Sequence, residues 1–177
     1  MRSEIVFSWP DGSGRYVLIE GHVWDFLFSH SQTKSNAAEA GGILLGHRAG
    51  GHIHVISATG PLPNDKRARL SFDRLDIGHQ KAAREAWESS GGTVDYVGDW
   101  HTHPQTAPTP SSKDYLEWKK LIKALASSHL FAIVGSSGNS FWLGCGADLQ
   151  EILPLTNELY KRAKSDRLDS FGAEKSI

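Results

Sequence analysis

His101-Thr102-His103 closes an apolar, strand-like run, VDYVGDWHTH. Side chains two apart on a strand project from one face, so both imidazoles can reach a single ion at about 2 Å. Seven residues, PQTAPTP, separate His103 from Ser111-Ser112-Lys113-Asp114. Three prolines let that stretch continue neither a sheet nor a helix, so it reverses the chain. A helix follows it, and Asp114 in the first turn can reach back toward the strand end. Two nitrogens and one oxygen make a three-ligand site for one zinc ion, with the fourth position open for water. Structural zinc normally has four protein ligands, so an open position marks a catalytic one.

Amide hydrolysis at such a centre needs a base that takes a proton from water and returns it to the leaving amine. Glu39 is the leading carboxylate for that role. It lies in AAEAGG, where a helix ends and the apolar run GGILLG begins, so small neighbours leave room for a substrate and the strand anchors the acid. The Ser111 hydroxyl can hydrogen-bond a developing oxyanion or the attacking water. Each residue also has a purely structural reading. Ser111-x-x-Asp114 is close to a capping box. His101 and His103 taken singly are ordinary strand histidines, and Glu39 taken singly is a solvated loop carboxylate. Only the joint pattern argues for chemistry.

The elements that must hold these residues read as follows. Arg15 to Ile19 alternates as a strand, and Val23, Phe26, Leu27 and His30 recur at helical spacing over about Gly21 to Thr33. GGILLGHR and HIHVISATG form a hairpin around Gly50-Gly51. PLPNDKRARLSF is too rich in proline and charge for the core and reads as a surface loop with binding duties. Asp73 to Glu88 and Ser111 to Ala126 read as amphipathic helices, while LFAIVGS and SFWLGC close the sheet as two strands around a Ser-Ser-Gly-Asn turn. About six strands interleaved with helices make an α/β fold, a mixed β-sheet sandwiched by helices. The expected organisation is one domain over residues 1–177, with a core of about 16–147 and a tail over 148–177 that holds a short helix near Asn157 to Lys164 and then frays.

Composition narrows the class. The 177 residues are 39% hydrophobic and 22% charged, and 19 basic against 20 acidic side chains give a net charge of -1. That balance indicates no general attraction to nucleic acid or to a membrane surface. The N-terminal run is broken by Glu4, Pro10 and Asp11, unlike a signal peptide, and no stretch approaches the roughly 20 apolar residues of a membrane span. One cysteine cannot form an internal disulfide, which fits a reducing cytoplasm.

Taken together, EAGGILLG from Glu39, GDWHTHP from Gly98 and PSSKD from Pro110 resemble the JAMM metalloprotease family, also called MPN-plus, without a gap or substitution in its motif. The resemblance spans about Tyr16 to Ala147. It implies a JAMM/MPN architecture akin to the cytidine deaminases, with His101, His103 and Asp114 as zinc ligands, Glu39 as general acid and base, and Ser111 stabilising the tetrahedral intermediate. It further implies an isopeptidase or peptidase acting on a ubiquitin-like or C-terminally conjugated protein with an extended tail. GDWHTHPQ and the PNDKR loop look like the bacterial branch that includes the deconjugating proteases of CBASS antiphage operons, whose cargo is a cGAS-like nucleotidyltransferase. Oligomeric state is not implied. Two alternatives stand beside this reading: a non-catalytic MPN-type module with a structural zinc, and a peptidase maturing a ubiquitin-like or sulfur-carrier precursor. A zinc deaminase would need a Pro-Cys-x-x-Cys element and a serine hydrolase a Gly-x-Ser-x-Gly elbow, and neither is present.

Other residues receive quieter roles. Cys145 reads as a buried inert thiol at a strand end. His52 and His54 read as alternating strand residues, and His22, His30, His47, His79 and His129 as surface or helix-boundary histidines. Trp100 and Trp118 are expected to pack beneath the motif. Lys66, Arg67 and Arg69 form a basic cluster of solvated loop charges, with recognition of an acidic patch on a protein substrate as the alternative.

Overall fold

The computed structural model describes residues 4–125 and 127–155. Eight strands form one mixed sheet: β1 (Ile5–Ser8), β2 (Tyr16–Ile19), β3 (Gly41–Ala49), β4 (His52–Ala58), β7 (Asp95–Thr102), β8 (His129–Val134), β9 (Asn139–Cys145) and β10 (Asp148–Ile152). A short hairpin, β5 (Lys66–Ala68) with β6 (Ser71–Asp73), stands apart from it. The helices are α1 (Gly21–Ser29), α2 (Gly78–Ser89) and α3 (Ser112–Ala124). The strand order is β1-β2-β4-β3-β7-β8-β9-β10, with β2/β4 and β7/β8 parallel and every other pair antiparallel. The chain end curls back on the first strand, where Phe7 bridges Pro154 and Leu155 N–H donates to Val6 C=O at 2.8 Å.

Apolar side chains alternate between the two faces. Leu130, Ala132 and Val134 of β8 join Val23, Trp24 and Leu27 of α1 in the main core, while Phe131 and Ile133 pack on Trp118 and Ile122 of α3. Ile43 and Leu45 of β3 meet Ala83 and Ala86 of α2. With both faces covered, all six β8 positions are buried. Helices therefore sandwich a mixed sheet, as expected. The unit that matters for chemistry is β7-α3-β8: a parallel pair needs a crossover, and α3 supplies it, so the C-terminal end of β7 opens beside the N-terminus of α3.

Four strands go beyond the six read from the sequence. β1 and β10 are edge strands of four and five residues, and three of the five β10 positions are exposed, so neither carries a full apolar alternation. β10 also places the first part of the expected helical tail, 148–152, in the sheet; the helix expected near Asn157 to Lys164 lies outside the described residues. The expected surface loop contains the β5–β6 hairpin. α2 begins at Gly78 rather than Asp73, because Asp65 accepts the backbone N–H groups of Leu75 (2.9 Å) and Asp76 (3.0 Å) and holds that segment as a loop.

Three further expectations are corrected. Cys145 is exposed, being the last residue of β9 before the turn into β10. His129 and His79 are buried, at 1% and 2% exposure. His129 shares its ring nitrogen with the Ser127 carbonyl at 2.8 Å. His79 is hydrogen-bonded between Thr59 Oγ1 (2.7 Å) and Asp65 Oδ2 (3.0 Å).

Candidate active site

Strand register brings the distant acid to the histidines. β3 and β7 pair antiparallel with Gly41 opposite His101, and the pairing continues beyond the strands as Thr102 N–H donates to Ala40 C=O at 2.8 Å. Glu39 thus falls beside His103 on the face that carries both imidazoles, since paired residues share a face. Gly41 keeps that face open: a Cβ there would lie 2.6 Å from the Phe72 ring and 2.7 Å from the Trp100 carbonyl.

The proline-rich loop is pinned rather than free. His103 N–H donates to Val134 C=O (3.0 Å), Ser136 N–H to Gln105 C=O (2.9 Å) and Gly138 N–H to Thr106 C=O (2.7 Å), which fastens the reversal to the β8–β9 turn. α3 then starts in a full capping box. Ser111 N–H donates to Asp114 Oδ2 at 2.6 Å, and Asp114 N–H donates to Ser111 Oγ at 3.2 Å. The cap turns the Asp114 carboxylate toward the strand end. Because Ser111 Oγ is an acceptor in the cap, its hydroxyl proton stays available for another partner.

Three donors converge. His101 Nε2 lies 3.0 Å from His103 Nε2, Asp114 Oδ1 lies 3.4 Å from His101 Nε2, and Asp114 Oδ2 lies 3.5 Å from His103 Nε2. Bonds of about 2.0–2.1 Å in a tetrahedral zinc site set ligand-to-ligand edges of about 3.3–3.4 Å, and the three separations here, the two from Asp114 ending on different carboxylate oxygens, bracket that value. These three are the one such cluster of possible metal ligands among the described residues. Gln105 Oε1 sits 3.4 Å from His103 Nδ1 and accepts Thr109 N–H at 3.1 Å, which suits the ring to presenting Nε2. Trp118 stacks on Phe131 with ring centroids 4.7 Å apart and supports His101 from beneath at 6.1 Å. Trp100 is buried and donates its indole N–H to the Thr59 carbonyl at 2.8 Å.

A cavity of about 540 Å³ opens over the triangle, and Glu39, His101, His103, Ser111 and Asp114 all line it. Its walls are β6 and the start of α3, joined by an ion pair between Asp73 and Lys113. Burial pushes the Glu39 carboxyl up to about 7, with the charge of His103 opposing and that of Asp114 reinforcing the rise. Burial would also raise Asp114, but hydrogen bonds from His101, His103 and Ser111 outweigh it and hold that carboxyl far below the usual range. His103 is disfavoured as a cation by burial, yet its bond to Asp114 and the Glu39 charge raise it on balance. Two carboxylates in one cavity are thus driven apart, one toward proton exchange near neutrality and one toward permanent ionisation.

Sequence reasoning did not pick out Gln32, Thr102 or the role of Arg67. Thr102 hides between the two histidines on the opposite face, fully buried, and its Oγ1 accepts Ala40 N–H (3.0 Å) and donates to Gln32 Oε1 (3.1 Å). Arg67, read as a solvated charge, donates from Nε to the Glu39 carbonyl at 2.6 Å. Nothing local in KRAR marks which basic residue does so.

The family described as "Prokaryotic homologs of the JAB domain" matches residues 27–144 of this chain. This protein belongs to that family. It is 39% identical over 144 residues to a Vibrio cholerae protein called CD-NTase/cGAS isopeptidase, covering 81% of this chain and 90% of that one. A Pseudomonas aeruginosa protein of the same name is 44% identical over 119 residues, covering 67% and 75%, and an Escherichia coli one is 34% identical over 142, covering 80% and 88%. Among solved structures, a protein from Desulfitobacterium hafniense superimposes with a TM-score of 0.54 at 24% identity, over 75% of this chain and 87% of that one, which bears on the fold alone.

Proposed function

We propose that this chain is a zinc-dependent isopeptidase, one catalytic domain over residues 1–177, that releases a cGAS-like nucleotidyltransferase conjugated through its C-terminal tail to a target protein, in cytoplasmic antiphage defence. The names carried by its relatives support the substrate class. The observation that carries the mechanism is the donor triangle of His101, His103 and Asp114 with Glu39 lining the same cavity. Among the described residues no helix is long and apolar enough to cross a membrane.

His101, His103 and Asp114 would hold the zinc. When bound, zinc lowers the pKa of water and polarises a carbonyl. Glu39 accepts a proton from the attacking water as the new C–O bond forms, then delivers it to the leaving lysine nitrogen as the C–N bond breaks. A carboxyl raised by burial suits both transfers. Ser111 donates its free hydroxyl proton to the oxygen that becomes negative. The cavity accepts the extended tail between β6 and α3.

A purified conjugate, joining a cGAS-like nucleotidyltransferase tail to a target lysine, tests the reading. Cleavage is expected at that bond, lost with a strong chelator, restored by zinc, and reduced to a small residual rate in Glu39→Gln with zinc still bound. Undiminished cleavage after chelation overturns the mechanism; release of a linear ubiquitin-like precursor with no isopeptide cleavage favours a maturation peptidase.

A further inference from the structure

The segment that presents Glu39, residues 37–40, has no regular secondary structure, so its backbone polar groups need partners from elsewhere. Those partners come from the side chains of Gln32, Arg67 and Thr102, from the hairpin backbone, and from the backbone of Lys34 and Thr102. Gln32, only 4% exposed, donates from Nε2 to the carbonyls of Ala37 (2.8 Å) and Arg69 (2.9 Å), tying the segment to the hairpin. Glu39 N–H donates to Ala68 C=O at 2.8 Å. The Arg67 guanidinium donates from Nε to Glu39 C=O at 2.6 Å and from Nη2 to Ala38 C=O at 3.4 Å. Thr102 takes Ala40 N–H on Oγ1 and gives its own backbone N–H to Ala40 C=O.

We infer that Arg67 is a positioning residue for Glu39, working with Gln32 and Thr102 to hold the acid in register with the histidine pair. The inference rests on the reading of Glu39 as the base. Arg67 engages the main-chain carbonyls, not the carboxylate, so it sets where the acid stands. A guanidinium suits the task because its rigid fork bridges two successive carbonyls, which a point-charge ammonium does not. The side chain reaches the segment from an exposed strand, β5, so truncating it removes the clamp and leaves the core intact. Misplacement of a catalytic group by about 1 Å costs on the order of 10²-fold in rate.

The test compares Arg67→Ala in the wild-type and Glu39→Gln backgrounds of the full chain. Substrate is the purified tail-to-lysine conjugate, and zinc content, thermal unfolding and amide hydrogen exchange are measured alongside. Expected in the wild-type background are a fall in kcat on the order of 10²-fold, KM within about twofold, unchanged zinc content, and faster exchange at the Glu39 amide. In the Glu39→Gln background the residual rate changes less than about twofold, because there is no base left to misplace. Full kcat in Arg67→Ala, an equal loss in both backgrounds, or a loss carried by KM overturns the positioning role. If Glu39→Gln itself keeps wild-type kcat, it is the assignment of the base that fails.

Discussion

Thr102 and Ala40 are joined twice, once through the Thr102 hydroxyl and once through its backbone N–H, at 3.0 and 2.8 Å. Thr102 lies between the two histidines, and Ala40 follows Glu39. The two halves of the candidate site, 62 residues apart along the chain, are thus locked together through two residues that do not line the cavity.

Glu39 should trade stability for function in a pH-dependent way. Its carboxyl rises from an ordinary 4.5 to about 7 in the fold, so the folded state holds the proton more tightly than the unfolded chain. The metal-free protein therefore loses stability as pH rises from about 4.5 through 7. Glu39→Gln, which removes the buried charge, should unfold at a higher temperature above pH 7, with a gain of up to about 3 kcal/mol, and match the wild type below pH 4.5. In the zinc-loaded protein the cation favours ionisation, so the acid limb of kcat/KM is expected below 7, reporting a base that must be deprotonated to act.

Substitutions can separate the helix cap that Ser111 makes from the donor role proposed for it. Ser111→Ala removes both the helix cap and the hydroxyl donor, so it should cost about 1 kcal/mol of stability and about 10²- to 10³-fold in kcat. Ser111→Gly costs the cap only a few tenths of a kcal/mol but has no hydroxyl to donate. It should unfold close to the wild-type temperature and still be slow, whereas Ser111→Thr should retain both properties. Wild-type kcat in Ser111→Ala would confine the residue to its cap.

Gly42 has no space for a methyl group. A Cβ would stand 2.1 Å from the Thr59 carbonyl oxygen, and Thr59 is itself held by His79. Gly42→Ala should destabilise by roughly 3 kcal/mol or more and weaken zinc retention by shifting the strand that leads to Glu39. Gly91, at φ +65° with nothing within 4 Å of an added methyl, offers the contrast. Gly91→Ala should cost only about 1–2 kcal/mol and leave zinc content unchanged, as read from denaturant unfolding and metal analysis.

Local rules carried much of this structure. Period-two spacing put His101 and His103 on one face, the proline stretch marked a reversal, and Ser111-x-x-Asp114 announced the cap that aims the aspartate. Those patterns depend on neighbours within a few residues, so sequence alone determines them. The place of Glu39 does not belong to that class. It follows from the pairing of Gly41 with His101, and register between strands about sixty residues apart is set by packing across the whole sheet. The same holds for Arg67, which is one basic residue among several until the hairpin folds onto the backbone beside Glu39. β1 and β10 were hidden for a related reason: an edge strand buries too little of itself to leave a full apolar alternation, and only contact with its neighbour makes it a strand.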